Sequence, residues 1–268
     1  MLSAKAAGFD YIEISIDETD TKLARLDMSK EERLELVRLM MVTGVPIRSM
    51  CLSGHRRYPL GSNDPEVEKR GMEIMEKAIQ LAEDLGIRII QLAGYDVYYE
   101  DSSFETKKRF LKNLKKATHM AEKAGVVLGF ETMETEFMNT VEKAMKYTTL
   151  VDSPYLNVYP DIGNITNAAI EYKNDVLEDM MIGKGHLCAM HLKETVPGKF
   201  REIPFGTGHV NFKEAIALAW QLGIRKYVTE FWYVGNENWK EDLVFAHDMF
   251  EKMLDEQMTG KDEKNVES

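Results

Sequence analysis

Glu131, Asp161, His191 and Glu230 close short apolar runs ending VVLGFE, LNVYPD, LCAMH and KYVTE, and follow one another at intervals of 30, 30 and 39 residues. Three carboxylates and one imidazole form an acceptor-rich set, and anions leaving an apolar run need a cation or donors to offset the cost of burial. A single divalent metal ion is the simplest partner for all four. Each interval fits one strand, one helix and their loops, so the four side chains would meet at the same end of four successive βα units. Taken singly, Glu131 and Glu230 could be strand-end ion pairs, Asp161 a turn or helix cap, and His191 a satisfied core residue. Their coincidence at matching positions points to a metal-dependent enzyme.

The elements that must position them recur along the chain. An amphipathic helix end, a glycine and a β-rich run appear together in AKAAGFDYIEIS from Ala4, AEDLGIRIIQLA from Ala82, AEKAGVVLGFE from Ala121 and AWQLGIRKYVTE from Ala219. Glycine suits the left-handed residue that commonly ends a helix. The pattern predicts seven strands, Tyr11 to Ile16, Pro46 to Leu52, Ile87 to Leu92, Val126 to Glu131, Leu156 to Asp161, Leu187 to His191 and Tyr227 to Glu230. Between them the clearest helix runs from Pro65 to Leu85, with Asp64 and Pro65 as its N-cap and first turn. Continuous apolar strands alternating with helices imply a covered parallel sheet. No GxGxxG or Walker loop follows any strand, whereas polar residues end most of them, which favours a TIM (β/α)8-type barrel over an open doubly wound sheet.

An eighth strand is not visible, because MLSAKAAG already reads as the last turns of a helix. The expectation is one barrel domain over residues 1–258 whose first strand is missing, with the strands at Tyr11 and Tyr227 flanking the gap. Residues 259–268, TGKDEKNVES, read as a polar, disordered tail.

The chain of 268 residues is 44% apolar and 29% charged, the composition of a soluble globule. A net charge of −11 disfavours a nucleic-acid surface, which needs a basic face. Cys51 and Cys188 lie inside apolar runs without CxxC spacing and read as reduced core thiols. No stretch approaches the roughly 20 apolar residues that span a membrane and no signal pattern follows Met1, so a cytoplasmic protein is expected.

Six segments carry a family resemblance: EISIDETD from Glu13, LSGHRRYPLGS from Leu52, GFETMET from Gly129, YPDIGN from Tyr159, MHLKET from Met190 and PFGTGHVNF from Pro204. From about Leu2 to Met253 the chain resembles the L-ribulose-5-phosphate 3-epimerase family, the L-xylulose-5-phosphate 3-epimerase group of ascorbate and pentose catabolism within the xylose-isomerase-like barrels. It departs from that pattern at its start, at Asn211, where a carboxylate is usual nearby, and at His209, where an imidazole is not. The resemblance implies that Glu131, Asp161, His191 and Glu230 hold one metal ion and that Glu131 and Glu230 serve as acid and base. Removing the carbon-3 proton beside a ketone gives a cis-enediolate, whose charge a metal bridging oxygens 2 and 3 can stabilise. Three oxygens and one nitrogen suit Mn²⁺, Mg²⁺ or Co²⁺ and admit Zn²⁺. Related free-sugar epimerases carry a histidine where this chain has Asn164, so Asn164 is expected to hold a substrate hydroxyl and alter specificity.

A sugar phosphate would need a cationic or amide-rich cradle. Candidates are His55, Arg56 and Arg57 in the loop after the second strand, Lys193 and Arg201 beyond the metal histidine, and the backbone of Gly206 and Gly208; a solvated basic loop or a hinge is the plain alternative for each. His119 and His247 read as surface residues. The expected partner is thus a small sugar phosphate, with no nucleic acid or membrane and a homodimer as an option. Two alternatives remain: a superfamily activity on an unphosphorylated ketose, hydroxypyruvate or inosose, and a catalytically inactive sugar-binding barrel.

Overall fold

The computed structural model describes residues 1–259. Helix α1 (Leu2–Ala6) precedes β1 (Ile12–Ser15), and α2 (Asp20–Leu23) and α3 (Lys30–Thr43) lead to β2 (Ile47–Leu52). Then come α4 (Pro65–Leu85), β3 (Ile89–Ala93), α5 (Phe104–Ala124), β4 (Val127–Glu131), α6 (Val141–Val151) and β5 (Leu156–Tyr159). Two helices, α7 (Ile162–Tyr172) and α8 (Val176–Ile182), precede β6 (Met190–Leu192), and α9 (Phe212–Gln221), β7 (Tyr227–Thr229) and α10 (Trp239–Thr259) complete the order. Thr259 ends α10; the tail expected after it lies outside the described residues.

Local chemistry sets these boundaries. The Asp64 side chain accepts from the Glu66 amide at the start of α4, with Pro65 at its first position. Ser29 and Glu32 form a reciprocal capping box on α3. Gly44, Gly86 and Gly125 end α3, α4 and α5 at φ of 73°, 71° and 66°, the left-handed geometry that the helix–glycine–strand pattern implied. No helix among the described residues is long and apolar enough to cross a membrane.

Strands β1 to β5 pair in sequence order, all parallel, and β6 pairs in parallel with β7. Isolated parallel bridges, Val158 to Leu187 and Asp161 to His191, join the two sheets. The sixth strand starts later than expected because only Leu187 touches β5 before the chain pairs again at Met190. Seven strands are therefore present among the described residues, and the TIM-type barrel is open between β1 and β7. There the Tyr11 hydroxyl crosses to donate to the Tyr227 carbonyl at 2.7 Å. A cleft of about 490 Å³ follows this opening and reaches His191, Glu13, Cys51 and Glu230.

The core divides accordingly. The larger apolar cluster packs β1 to β5 against α4 and α5, with Met50, Leu81, Ile90, Leu114 and Phe130 wholly or almost wholly buried. A second, built on Met190, Phe212, Ile216 and Phe250, seats β6 and β7 on α9 and α10. Burying such side chains is the main driving force of folding, about 25 cal/mol per Å² of apolar surface. Both clusters leave the C-terminal strand ends free for polar residues.

Candidate active site

The register of the sheet brings the four ligand candidates together. Glu131 ends β4 opposite Tyr159, Asp161 lies two residues past β5 and bridges to His191 on β6, and the Glu230 amide donates to the Leu192 carbonyl at 2.9 Å just after β7. One ligand atom from each of Glu131, Asp161, His191 and Glu230 falls within 4.8 Å of the others. That is the separation expected of donors around one small cation, whose bonds to oxygen or nitrogen are about 2.0–2.3 Å. Glu131, Asp161 and His191 are buried, whereas the Glu230 side chain keeps 28% of its exposure because β7 borders the open seam.

Hydrogen bonds fix the set. Asp161 caps α7 by accepting from the Asn164 amide at 2.8 Å, and its own amide donates to the Thr132 hydroxyl at 3.0 Å. The Asn164 side chain donates to the Thr132 carbonyl at 2.7 Å, which ties the start of α7 to the end of β4. Gln91, on β3, donates to Glu131. His191 turns Nδ1 toward Glu131 (3.1 Å) and Glu230 (2.9 Å), and Nε2 toward Glu13 (2.8 Å). Lys193 Nζ lies 2.8 Å from Asp161 Oδ2. Even so, Asp161 Oδ2 and Glu230 Oε2 lack a well-directed hydrogen bond although both are buried. Both oxygens are held only by ion pairs, to Lys193 at 2.8 Å and His191 at 2.9 Å, which leaves them coordinating capacity that a cation would use, since buried polar atoms are almost always fully paired.

The electrostatics agree. Burial, reinforced by Glu230, pushes the Glu131 pKa up to about 7, and burial pushes Asp161 up to about 6 against the pull of Lys193. Burial also works against the charge on Glu230, but Lys193 and His191 hold its carboxyl below the usual range. For His191, burial is outweighed by Glu13 and Glu230, which keep its pKa well above the ordinary value. Lys193 likewise stays cationic because Asp161, Glu230 and Glu131 outweigh its burial. Two carboxylates with pKa values driven apart make a pair suited to acid and base work.

The family model described as "Xylose isomerase-like TIM barrel" matches residues 2–249. L-ribulose-5-phosphate 3-epimerase UlaE of Escherichia coli is 46% identical over 246 residues, covering 91% of this chain and 85% of that protein. The Salmonella paratyphi C protein of the same name is 47% identical over the same shares. The chain belongs to the L-ribulose-5-phosphate 3-epimerase family. Members of this family are isomerases, and this chain is an enzyme of that class. Among solved structures, a D-psicose 3-epimerase from Clostridium cellulolyticum H10 superposes with a TM-score of 0.77 at 17% identity, covering 94% of this chain and 91% of the other. An L-ribulose 3-epimerase superposes at 0.74 and 19%, covering 99% and 90%. At such identities these neighbours establish the shared barrel alone.

Within this epimerase-family barrel the phosphate candidates separate. Arg56 lies over the rings of Tyr95 and Tyr98, at 5.8 and 5.1 Å, with Glu18 3.5 Å away. Arg201 pairs with Glu134 at 2.9 Å, and the Tyr95 hydroxyl donates to the same carboxylate at 2.9 Å. Two loops distant in sequence thus meet around Glu134, three residues beyond Glu131. Arg57 turns outward to the exposed Asp20. His55 departs from the expectation of a loop contact: it is buried, bonds to the Gly71 carbonyl at 3.0 Å, and burial pushes its pKa down to about 4. Lys193 also departs, because it is spent among the ligand carboxylates. The amides of Gly206 and Val210 do bind an anion, but it is the Glu194 carboxylate, at 3.0 and 3.2 Å. Gly208 is there for close approach: a Cβ would lie 2.1 Å from the Thr195 carbonyl oxygen and 2.3 Å from Glu194 Oε1.

Sequence reasoning did not single out Glu13, Gln91, Thr132 or Glu194. Glu13 had a signal, a lone acid in the apolar strand run YIEIS. In a covered parallel strand, the face that looks polar is the barrel interior.

Proposed function

We propose that this chain is a metal-dependent 3-epimerase that interconverts L-ribulose 5-phosphate and L-xylulose 5-phosphate by removing and returning the proton at carbon 3. The observation that carries this reading is the convergence of Glu131, Asp161, His191 and Glu230 within 4.8 Å, two oxygens of the set lacking directed hydrogen bonds, in a chain 46% identical to proteins of that name. Mn²⁺, Mg²⁺ or Co²⁺ suits the three-oxygen, one-nitrogen donor set, and Zn²⁺ is also accommodated. Glu131, Asp161, His191 and Glu230 would hold such an ion, which would supply positive charge to stabilise the negative charge that develops on the ketose when its proton leaves.

Glu131 and Glu230 stand on strands three apart and can address opposite faces of the substrate, so one takes the carbon-3 proton as the other delivers one. The adjacent ketone makes that proton acidic by spreading the resulting charge onto oxygen 2. Lys193, fixed against Asp161, adds a permanent positive charge near the developing oxyanion. The open side of the site accepts the rest of the sugar. Arg56, stacked over Tyr95 and Tyr98 beside Glu18, and Arg201, paired with Glu134, are the groups best disposed to take the phosphate, each through charge-assisted hydrogen bonds.

The test is a comparison of L-ribulose 5-phosphate with unphosphorylated L-ribulose, before and after chelation. Epimerisation of the phosphate ester at carbon 3, lost with chelator and restored by Mn²⁺, is expected. Equal turnover of the two sugars would assign the enzyme to an unphosphorylated substrate, and full activity in chelator would remove the metal.

A further inference from the structure

Glu13 sits on β1, which supplies no ligand candidate and faces β7 across the open seam, yet its carboxylate reaches the back of the metal histidine. Oε1 lies 2.8 Å from His191 Nε2, and Oε2 accepts from the Tyr159 hydroxyl at 3.1 Å. The Tyr159 ring meets the imidazole edge to face with centroids 4.7 Å apart. Glu13 does not belong to the cluster of ligand atoms, because the imidazole stands between it and the other three carboxylates.

We propose that Glu13 is a positioning residue that fixes the ring orientation and tautomer of His191. Opposite a carboxylate oxygen, Nε2 keeps its proton, so the nitrogen that would give up its proton and meet a cation is Nδ1, which faces Glu131 and Glu230. Which imidazole nitrogen binds a metal is set by the hydrogen bond the other makes, and losing such an outer partner typically weakens metal binding 10–100-fold. Tyr159 closes the arrangement by holding the second oxygen, so the carboxylate cannot rotate away from the ring. The consequence for the barrel is that β1, which supplies no ligand, still governs the ligand set from across its interior, along the wall of the cleft between β1 and β7.

This inference rests on the metal reading of the site, and the test separates the two. Mn²⁺ binding to the whole protein is measured by titration calorimetry for wild type, Glu13→Ala, Glu13→Gln and Tyr159→Phe. Expected are a 10–100-fold weaker affinity for Glu13→Ala, a smaller loss for Glu13→Gln, whose amide oxygen still accepts from Nε2, and less than about threefold for Tyr159→Phe. The imidazole ¹⁵N spectrum of the Mg²⁺-loaded wild type should show His191 protonated at Nε2, a signature a merely structural residue would not set. That spectrum also decides the matter if Glu13→Ala does not fold. Affinities within twofold of wild type for both Glu13 variants would overturn the inference while leaving the metal reading intact, and a proton on Nδ1 of the loaded protein would overturn the inference and remove His191 from the ligand set. Wild type that takes up no Mn²⁺ would overturn both.

Discussion

The two sets of charged side chains around the strand ends are held in opposite ways. Glu131, Asp161 and His191 are buried, locked by Gln91, Asn164, Thr132 and Glu13, and joined to Glu230 by the register of four parallel strands. Arg56, Arg57 and Arg201 sit on loops, each beside a carboxylate that solvent also reaches. The first set is pre-organised and cannot relax, so its members act as a unit. The second can exchange one anion for another, as a group that must release product requires. The proposed function therefore divides chemistry from recognition, the first at strand ends and the second in loops.

The largest effect should come from the rigid set. Replacing Glu131 or Glu230 with Gln removes a proton-transferring group without changing shape, and kcat for the 3-epimerisation should fall roughly 10²–10⁴-fold. A loss below tenfold in both variants would remove them from acid and base work and blur the distinction between the two sets.

Stability should respond to His55, which burial has moved from the loop set into the core. Its folded pKa of about 4 lies below the ordinary value of 6.5, so the unfolded chain binds more protons between these limits. The contribution is fully present above about pH 6.5 and is lost as pH falls through about 4, amounting to about 3 kcal/mol. Thermal unfolding of His55→Gln should show a correspondingly shallower loss of Tm between pH 7 and pH 4.5 than wild type. Identical slopes would place His55 back among the solvated loop groups.

The loop set is sharpened by its internal contrast. Arg56→Ala or Arg201→Ala should raise KM for the phosphorylated ketose about tenfold, the scale of one charge-assisted hydrogen bond, with turnover of the free ketose unchanged. Arg57→Ala should do almost nothing, since exposed ion pairs are worth about 0–1 kcal/mol. A shared loss for Arg56→Ala and Arg57→Ala on both sugars would show that the loop supports the fold and not the phosphate.

How far the sequence revealed these features follows the same division. Each ligand candidate ends an apolar run, and Gly86 and Gly125 mark the helix ends before β3 and β4, so strand ends were legible from local patterns. Loop contacts depend on residues far apart in the chain. Nothing local in HLKET indicates that Glu194 will fill the amide cradle of Gly206 and Val210, or in SGHRR that His55 will turn inward to Gly71 and Arg56 toward Tyr95. Glu13 differs in that its local signal, an acid inside an apolar strand run, was present, while its partner, 178 residues away across the barrel interior, was not legible.

The smallest effect belongs to the open seam. Tyr11→Phe removes the hydroxyl that bridges β1 to the Tyr227 carbonyl and should lower stability by about 1 kcal/mol, the net worth of one hydrogen bond. Because Glu230 follows β7 directly, a loss of Mn²⁺ affinity in the same variant would show that the seam reaches the rigid set.

Solvent deuterium exchange at carbon 3 of L-xylulose 5-phosphate, followed with and without chelator, tests the central claim most directly. The account predicts incorporation at carbon 3 alone by the metal-loaded enzyme, none in chelator, and incorporation slowed roughly 10²–10⁴-fold in Glu131→Gln. Incorporation that persists in chelator, or that occurs at another carbon, would contradict a four-ligand metal centre working by proton transfer at carbon 3.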